Sequence, residues 1–274
     1  MKKIAIVLIL LSAVIFAGLK GGLWYFTKQF IDNKITEAKS FAQISYKEIT
    51  TSLNGQAALK GVKVFIPLLD ETLFIDSVQL VTPDVFTLFT LPRQLEKQQL
   101  PESLSLAVTG LQIDMNGNIM KMRDNPELPP GPSEIIAALG CGEVYRIDTN
   151  ALKKMGYDTI IADSMLHYGY NAKNKQIKFK LSNHLRDMTR FSINGEVNNV
   201  ENFTSVVADS PQAKLGKISL ESIDDSFLER KNRFCANENN SSVDQYIDKN
   251  TRLLQEYLGS FGIEFGDGLV AAYR

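Results

Sequence analysis

The chain opens Met1-Lys2-Lys3 and then runs from Ile4 to Phe26 with a single charge, Lys20, and this stretch decides where everything after it folds. A helix of that length, at about 1.5 Å rise per residue, crosses a hydrocarbon core of about 30 Å. Lys2, Lys3 and the terminal amine precede the run, whereas the far flank mixes Lys28, Asp32, Lys34 and Glu37. The positive-inside rule therefore keeps the N-terminus in the cytoplasm and exports the rest. Trp24, Tyr25 and Phe26 stand where an interfacial aromatic belt holds the outer end of a single-pass helix, and Lys20 can snorkel to the same surface. A cleaved signal peptide is the competing reading, with Ala17 the best cleavage candidate, although Ile15 stands where a small residue is preferred. Residues 1–26 are thus read as a transmembrane anchor or a signal peptide, and both readings place the body outside the cytoplasm.

Composition narrows what an exported body can be. Lys and Arg number 30 against 31 for Asp and Glu, a balance with no electrostatic footprint for nucleic acid. With 44% hydrophobic and 22% charged residues the chain is globular material, neither disordered nor low in complexity. Its two cysteines, Cys141 and Cys235, are expected to pair in an oxidising compartment, the alternative being two buried free thiols. Cys235 shares a helical face with Phe227, Leu228, Lys231 and Phe234, which is a packing position.

Residues 27–43 continue with helical spacing at Phe30, Ile31, Ile35, Ala38 and Phe41, and are read as a helical stalk. Residues 44–125 change period to short alternating strands. Tyr46–Leu53 is one, Asn54-Gly55 a turn, and Gln56–Ile66 carries two apolar alternations offset across Gly61. The same offset recurs between Leu73-x-Ile75 and Val78-x-Leu80, and again across Gly110, where Leu104, Leu106 and Val108 give way to Leu111 and Ile113. A bulge or a sheet crossing produces such an offset. Val85–Leu91 fits a short helix or a buried strand, and residues 92–101 a polar loop. Residues 126–140, which take in most of NPELPPGP, read as a Pro-rich linker or a crossing loop.

Residues 141–274 read as an antiparallel sheet followed by helices. Asp148 caps a helix from Thr149 that Gly156 stops, and strands follow at Thr159–Tyr170, Gln176–Ser182, Phe191–Val197 and Ile218–Leu220. Capping boxes at Ser226-x-x-Glu229 and Ser242-x-x-Gln245 announce two helices whose apolar stripes need a surface to cover. The fold class is therefore α+β: an N-terminal transmembrane helix, a largely antiparallel twisted sheet, and two C-terminal helices packed on it.

Signatures of catalysis are missing. His167 and His184 lack ligand spacing, and there is no HExxH, CxxC, GxSxG or glycine-rich phosphate loop. Asp224-Asp225 reads as charge at a helix N-terminus, and the tyrosines 168 and 170, with Tyr157 nearby in sequence, as sheet packing or a binding surface. No metal, cofactor or enzymatic activity is expected, a hydrolase being the third-ranked reading. The feature left is the apolar sheet face: Leu104, Leu106, Val108, Leu111 and Ile113 form a candidate groove for an acyl chain or a partner segment if the helices leave it open, and core if they close it.

Residues 45–67, SYKEITTSLNGQAALKGVKVFIP, with DSVQLVTPDVF at 76–86, resemble the opening of AsmA-like envelope proteins, in which strand pairs around G-x-V-x-V steps begin an amphipathic sheet. GGLWYFTKQFID at 21–32 also looks like the start of anchored bacterial periplasmic proteins of unknown function. The likeness covers roughly the first 115 residues, and the half carrying both cysteines has no such counterpart. It implies a bacterial inner-membrane protein, single-pass, with a periplasmic body that serves envelope homeostasis by binding membrane lipid or a lipid-handling partner. The alternative is an anchored scaffold or assembly factor that docks other envelope proteins.

Overall fold

The computed structural model describes residues 21–201 and 213–262. Most of the expected anchor, residues 1–20, lies outside them, and among the described residues no helix is long and apolar enough to cross a membrane. The described part is α+β, with one large antiparallel sheet and two C-terminal helices.

Helix α1 spans residues 21–37 and leads into β1 (Gln43–Ser45), β2 (Glu48–Ser52), β3 (Gln56–Ile66) and β4 (Glu71–Val81). Helix α2 (Val85–Glu96) follows, then β5 (Ser103–Asp114), α3 (Asn118–Arg123), α4 (Pro132–Ala138) and α5 (Thr149–Lys154). The chain continues through β6 (Thr159–Asn171), β7 (Gln176–Leu185), β8 (Thr189–Asn198) and β9 (Lys214–Asp224) to α6 (Phe227–Glu238) and α7 (Val243–Gly259). The sheet runs in the order β1-β3-β4-β5-β6-β7-β8-β9, with β2 also on β3. β5 and β6 are neighbours, so the strands before and after the Pro-rich segment share one sheet.

The chain divides into two compact units. The first holds residues up to Gln112, Ile161–Arg186 and Arg190–Ile223, and thus nearly all of the sheet together with α1 and α2. Val85–Glu96 is a helix because Asp84 caps it, its side chain accepting from the Thr87 amide at 2.7 Å. It runs past Pro92, through residues expected to be loop.

Residues 27–43 do not stand free as a stalk. Leu23 is fully buried against Ala57 and Leu88, with Leu53, Leu80 and Val85 around them. Tyr46 Oη donates to Asp32 Oδ1 at 2.8 Å, and the Lys28 ammonium bonds the same carboxylate. Lys28 and then Tyr46 hold the Asp32 carboxyl below its ordinary range.

The apolar offsets fall in one cross-strand row. Gly61, Asp76 and Gly110 are aligned by a pairing that keeps the same register on both sides, so no residue is inserted and the feature is not a bulge. Instead both glycines are left-handed, with φ of 59° and 66°, which interrupts the alternation of side-chain directions. A Cβ on Gly110 would lie 2.0 Å from the Asp76 carboxylate. Asp163 accepts from the Gly110 amide at 2.7 Å and from Arg186 through two bonds of 2.9 Å, and the guanidinium, ahead of the amide, holds its carboxyl low.

The second unit holds residues 113–160, 187–189 and those from Asp224 onward, and so contains both C-terminal helices together with α3, α4 and α5. The Pro-rich segment also lies within this unit instead of linking two domains. The buried Arg146 threads it: Nη1 donates to the Arg123 carbonyl at 2.7 Å and to that of Asn125 at 3.4 Å, and Nη2 to that of Leu128 at 2.7 Å.

Cys141 and Cys235 form the expected disulfide, with Cα atoms 4.6 Å apart and both side chains buried. Asn239 Nδ2 donates to the Gly140 carbonyl at 3.0 Å, and the Tyr246 hydroxyl and the Asn250 amide donate to that of Leu139. The Ser242–Gln245 capping box is reciprocal, at 3.2 and 3.1 Å. The box expected at Ser226 is not formed; Asp224 accepts from the Leu228 amide at 2.8 Å, while the Ser226 hydroxyl donates to the Asp187 carbonyl.

Lys231 of α6 is 3% exposed, and burial lowers its pKa from 10.5 to about 8, against a smaller opposing pull from Asp224. Between those two values the unfolded chain keeps a proton that the folded chain has released, so stability rises with pH across the window. Relative to Lys231→Met, the wild-type protein should gain up to about 3 kcal/mol there, as read by urea unfolding at several pH values. Parallel pH profiles for the two proteins would refute this.

Candidate functional site

In the first unit the residues proposed for a groove meet partners of their own kind. Antiparallel pairing sets Ala57 beside Leu80 and Leu59 beside Val78, then Leu80 beside Leu106 and Val78 beside Val108. On β6 and β7 it sets Leu166 beside Leu181, Tyr168 beside Phe179 and Tyr170 beside Ile177. Ser105 Oγ and His167 Nδ1 hydrogen-bond at 2.6 Å on the opposite side of the sheet. By the alternation of strand side chains, Leu104 and Leu106 then share a face with Leu166 and Tyr168. Gly195 continues that face on β8, where a Cβ would lie 2.4 Å from the Phe179 ring.

Among the described residues, helices cover one end of this apolar face. Leu23 of α1 and Leu88 of α2 bury Ala57 to 5% exposure. Further along, Leu106 is 40% and Leu166 41% exposed, and Leu59, Val78, Leu104, Val108, Tyr168, Phe179 and Leu181 are only partly buried. The face closes again at the β6–β7 turn, where Ile177 and Val200 are buried and the Tyr170 hydroxyl donates to the Val200 carbonyl at 3.0 Å. Burial pushes the Tyr168 hydroxyl up to about 12, so it stays a neutral donor.

Of the five groove candidates, Leu104, Leu106 and Val108 lie together in this row. Leu111 and Ile113 lie beyond the left-handed Gly110, and Ile113 belongs to the second unit. Tyr157 is likewise in the second unit, under the Arg230 guanidinium, which stacks 4.7 Å from its ring, and is no part of the Tyr168–Tyr170 row.

Beside Tyr170 the first unit has a cleft of about 570 Å³ whose lining is mostly polar, including Gln94, Lys97, Gln98, Glu102 and Glu201. Tyr170 borders both the cleft and the apolar row, and its amide donates to the Glu102 carbonyl at 2.7 Å. Sequence reasoning did not find this cleft, because residues 92–101 read as an undifferentiated polar loop. One lysine, three carboxylates (Asp84, Glu102 and Glu201) and amide groups at one end, with exposed leucines along the other part, suit an amphiphile better than a purely polar or purely apolar ligand.

His167 bonds Ser105, and His184 lies 3.9 Å from Asp163, which Arg186 already holds. Among the described residues no three His, Cys, Asp or Glu side chains are grouped so as to hold a metal ion. No protein-family model matches the chain, and no curated protein matches it either.

Proposed function

We propose that this protein is a non-enzymatic binder of membrane lipid, held at a bacterial inner membrane by the apolar run that precedes Leu23, with its body, Leu23 included, in the periplasm. The half-open apolar face of the first unit carries the reading. A core would be closed, whereas Leu106 and Leu166 remain near two-fifths exposed between the roof of Leu23 and Leu88 and the closed end at Ile177. An acyl chain on that row would remove this surface from water, at about 25 cal/mol per Å² of apolar area. The cleft with Lys97, Tyr170 and the carboxylates of Asp84, Glu102 and Glu201 would take a polar headgroup that carries an amine as well as a phosphate. The scaffold reading keeps one specific observation in its favour, the exposed edge strand β9.

The test is native mass spectrometry of the full chain gently extracted from its own membrane, with the Leu106→Glu/Leu166→Glu variant beside it. Phospholipid should co-purify at fixed stoichiometry, and the variant should lose it at least tenfold while its thermal midpoint stays close to that of the wild type, because both positions are already solvated. Bare wild-type protein, or a variant that unfolds, would remove the support for a groove.

A further inference from the structure

Among the described residues the last strand of the sheet, β9, has a neighbour on one side only, β8, and all eleven of its residues are exposed. Leu215 and Leu220 are 64% exposed, Ile218 48% and Ile223 47%. Such an edge presents a row of backbone donors and acceptors to any passing strand, and proteins normally blunt it with charge, proline, a bulge or a short length; of these β9 has charge, in Lys214, Lys217, Glu221 and Asp224. β9 has no proline and is among the longer strands of the sheet.

Its sequence, KLGKISLESID, is complementary to itself when reversed about Ser219. In an antiparallel pair centred there, Lys217 faces Glu221, Lys214 faces Asp224, Ile218 faces Leu220 and Leu215 faces Ile223, each twice by symmetry. Opposed residues point to the same side of the sheet, so every pair can touch. Neighbouring registers lose this. Centring on Ile218 sets Leu215 against Glu221 and Lys217 against Ser219, and centring on Leu220 sets Lys217 against Ile223 and Ser219 against Glu221. Centring on Lys217 or Glu221 opposes like charges. Glu221 remains close to Ser192 Oγ, at 3.4 Å, and Asp224 accepts from the Leu228 amide, so Lys217–Glu221 is the pair with the freer acid.

We infer that β9 is an isologous docking edge for a second copy of this chain, paired antiparallel about Ser219 so that two sheets become one. The two-fold axis makes the contact closed, which consumes the exposed edge and leaves no growing filament at that site.

The experiment measures the mass of the full-length chain in mild detergent by sedimentation, for wild type, Lys217→Glu, Glu221→Lys and the double exchange. The wild type should be a dimer. Each single reversal turns two attractive pairs into two repulsive ones and should weaken dimerisation about tenfold or more, and the double exchange should restore it. A second readout is oxidative cross-linking. Both native cysteines are consumed in one disulfide, so an introduced thiol is alone in its chain. Ser219→Cys should give a covalent dimer, because residue 219 faces its own copy, and Lys217→Cys should not. A monomeric wild type, which would leave the edge for a strand of another protein, overturns the inference. So do a dimer indifferent to all three charge variants, a double exchange that fails to restore association, and cross-linking at 217 in preference to 219.

Discussion

Replacing Cys141 and Cys235 together by alanine should lower the stability of the second unit by about 3 to 5 kcal/mol, read as a lower urea midpoint with a steeper slope, because the untied unfolded chain exposes more surface. The bond closes a loop of 94 residues, and in the chain-entropy model a loop of about 100 residues withdraws about 4.7 kcal/mol of freedom from the unfolded chain. The native side adds to the effect. Cys141 and Cys235 are 1% and 0% exposed, and the loop before Cys141 is tied to α6 and α7 by hydrogen bonds to the Leu139 and Gly140 carbonyls from Asn239, Tyr246 and Asn250. Reductant added to the wild-type protein during unfolding should reproduce the shift. A double variant as stable as the wild type would mean that those bonds and the α6–α7 packing suffice without the covalent tie.

Arg146→Met should destabilise the same unit by about 3 to 5 kcal/mol, despite conserving much of the side-chain volume. The guanidinium is 5% exposed and donates to three carbonyls, of Arg123, Asn125 and Leu128, while its Nε lies 3.5 Å from Glu134. Methionine offers no donor, so those carbonyls are left without their partner and the Pro-rich segment loses what fixes it. Limited proteolysis should then cut within residues 124–131 before any cut in the sheet. Arg146→Lys should recover only part of the loss, since one ammonium cannot reach in the directions a fork does. Full stability in the methionine variant would show that the proline backbone holds its course unaided.

These two residues illustrate how unevenly the chain can be read. Cys235 was placed in a buried position by its neighbours Phe227, Leu228, Lys231 and Phe234 on one helical face, and the bond to Cys141 is there. Arg146 gave no signal, because its partners are backbone carbonyls up to 23 residues away and carbonyls have no sequence identity. The same reason explains Ser226: a capping box is a local pattern, and here Asp187 drew the hydroxyl away while Asp224 took over the cap. Residues 126–140 read as a linker because proline marks departure from regular structure. It does not report whether the irregular backbone is bound by something else.

The sequence alone determined the local elements: alternation with period two set β3 and β6 close to their observed limits, Asp148 and Gly156 bounded α5, and Asn54-Gly55 turned β2 into β3. It also determined which side of each strand is apolar, because side-chain direction follows residue parity. Only the tertiary structure decided that β5 and β6 are neighbours across the Pro-rich segment, that the C-terminal helices cluster with α3, α4 and α5, and that, among the described residues, helices roof the row from Leu80 to Leu106 and Leu166 at one end while Leu106 and Leu166 stay exposed. A strand's pattern states that a face prefers to leave water. Whether another part of the same chain arrives to cover it depends on contacts between residues far apart in sequence, which no local period encodes.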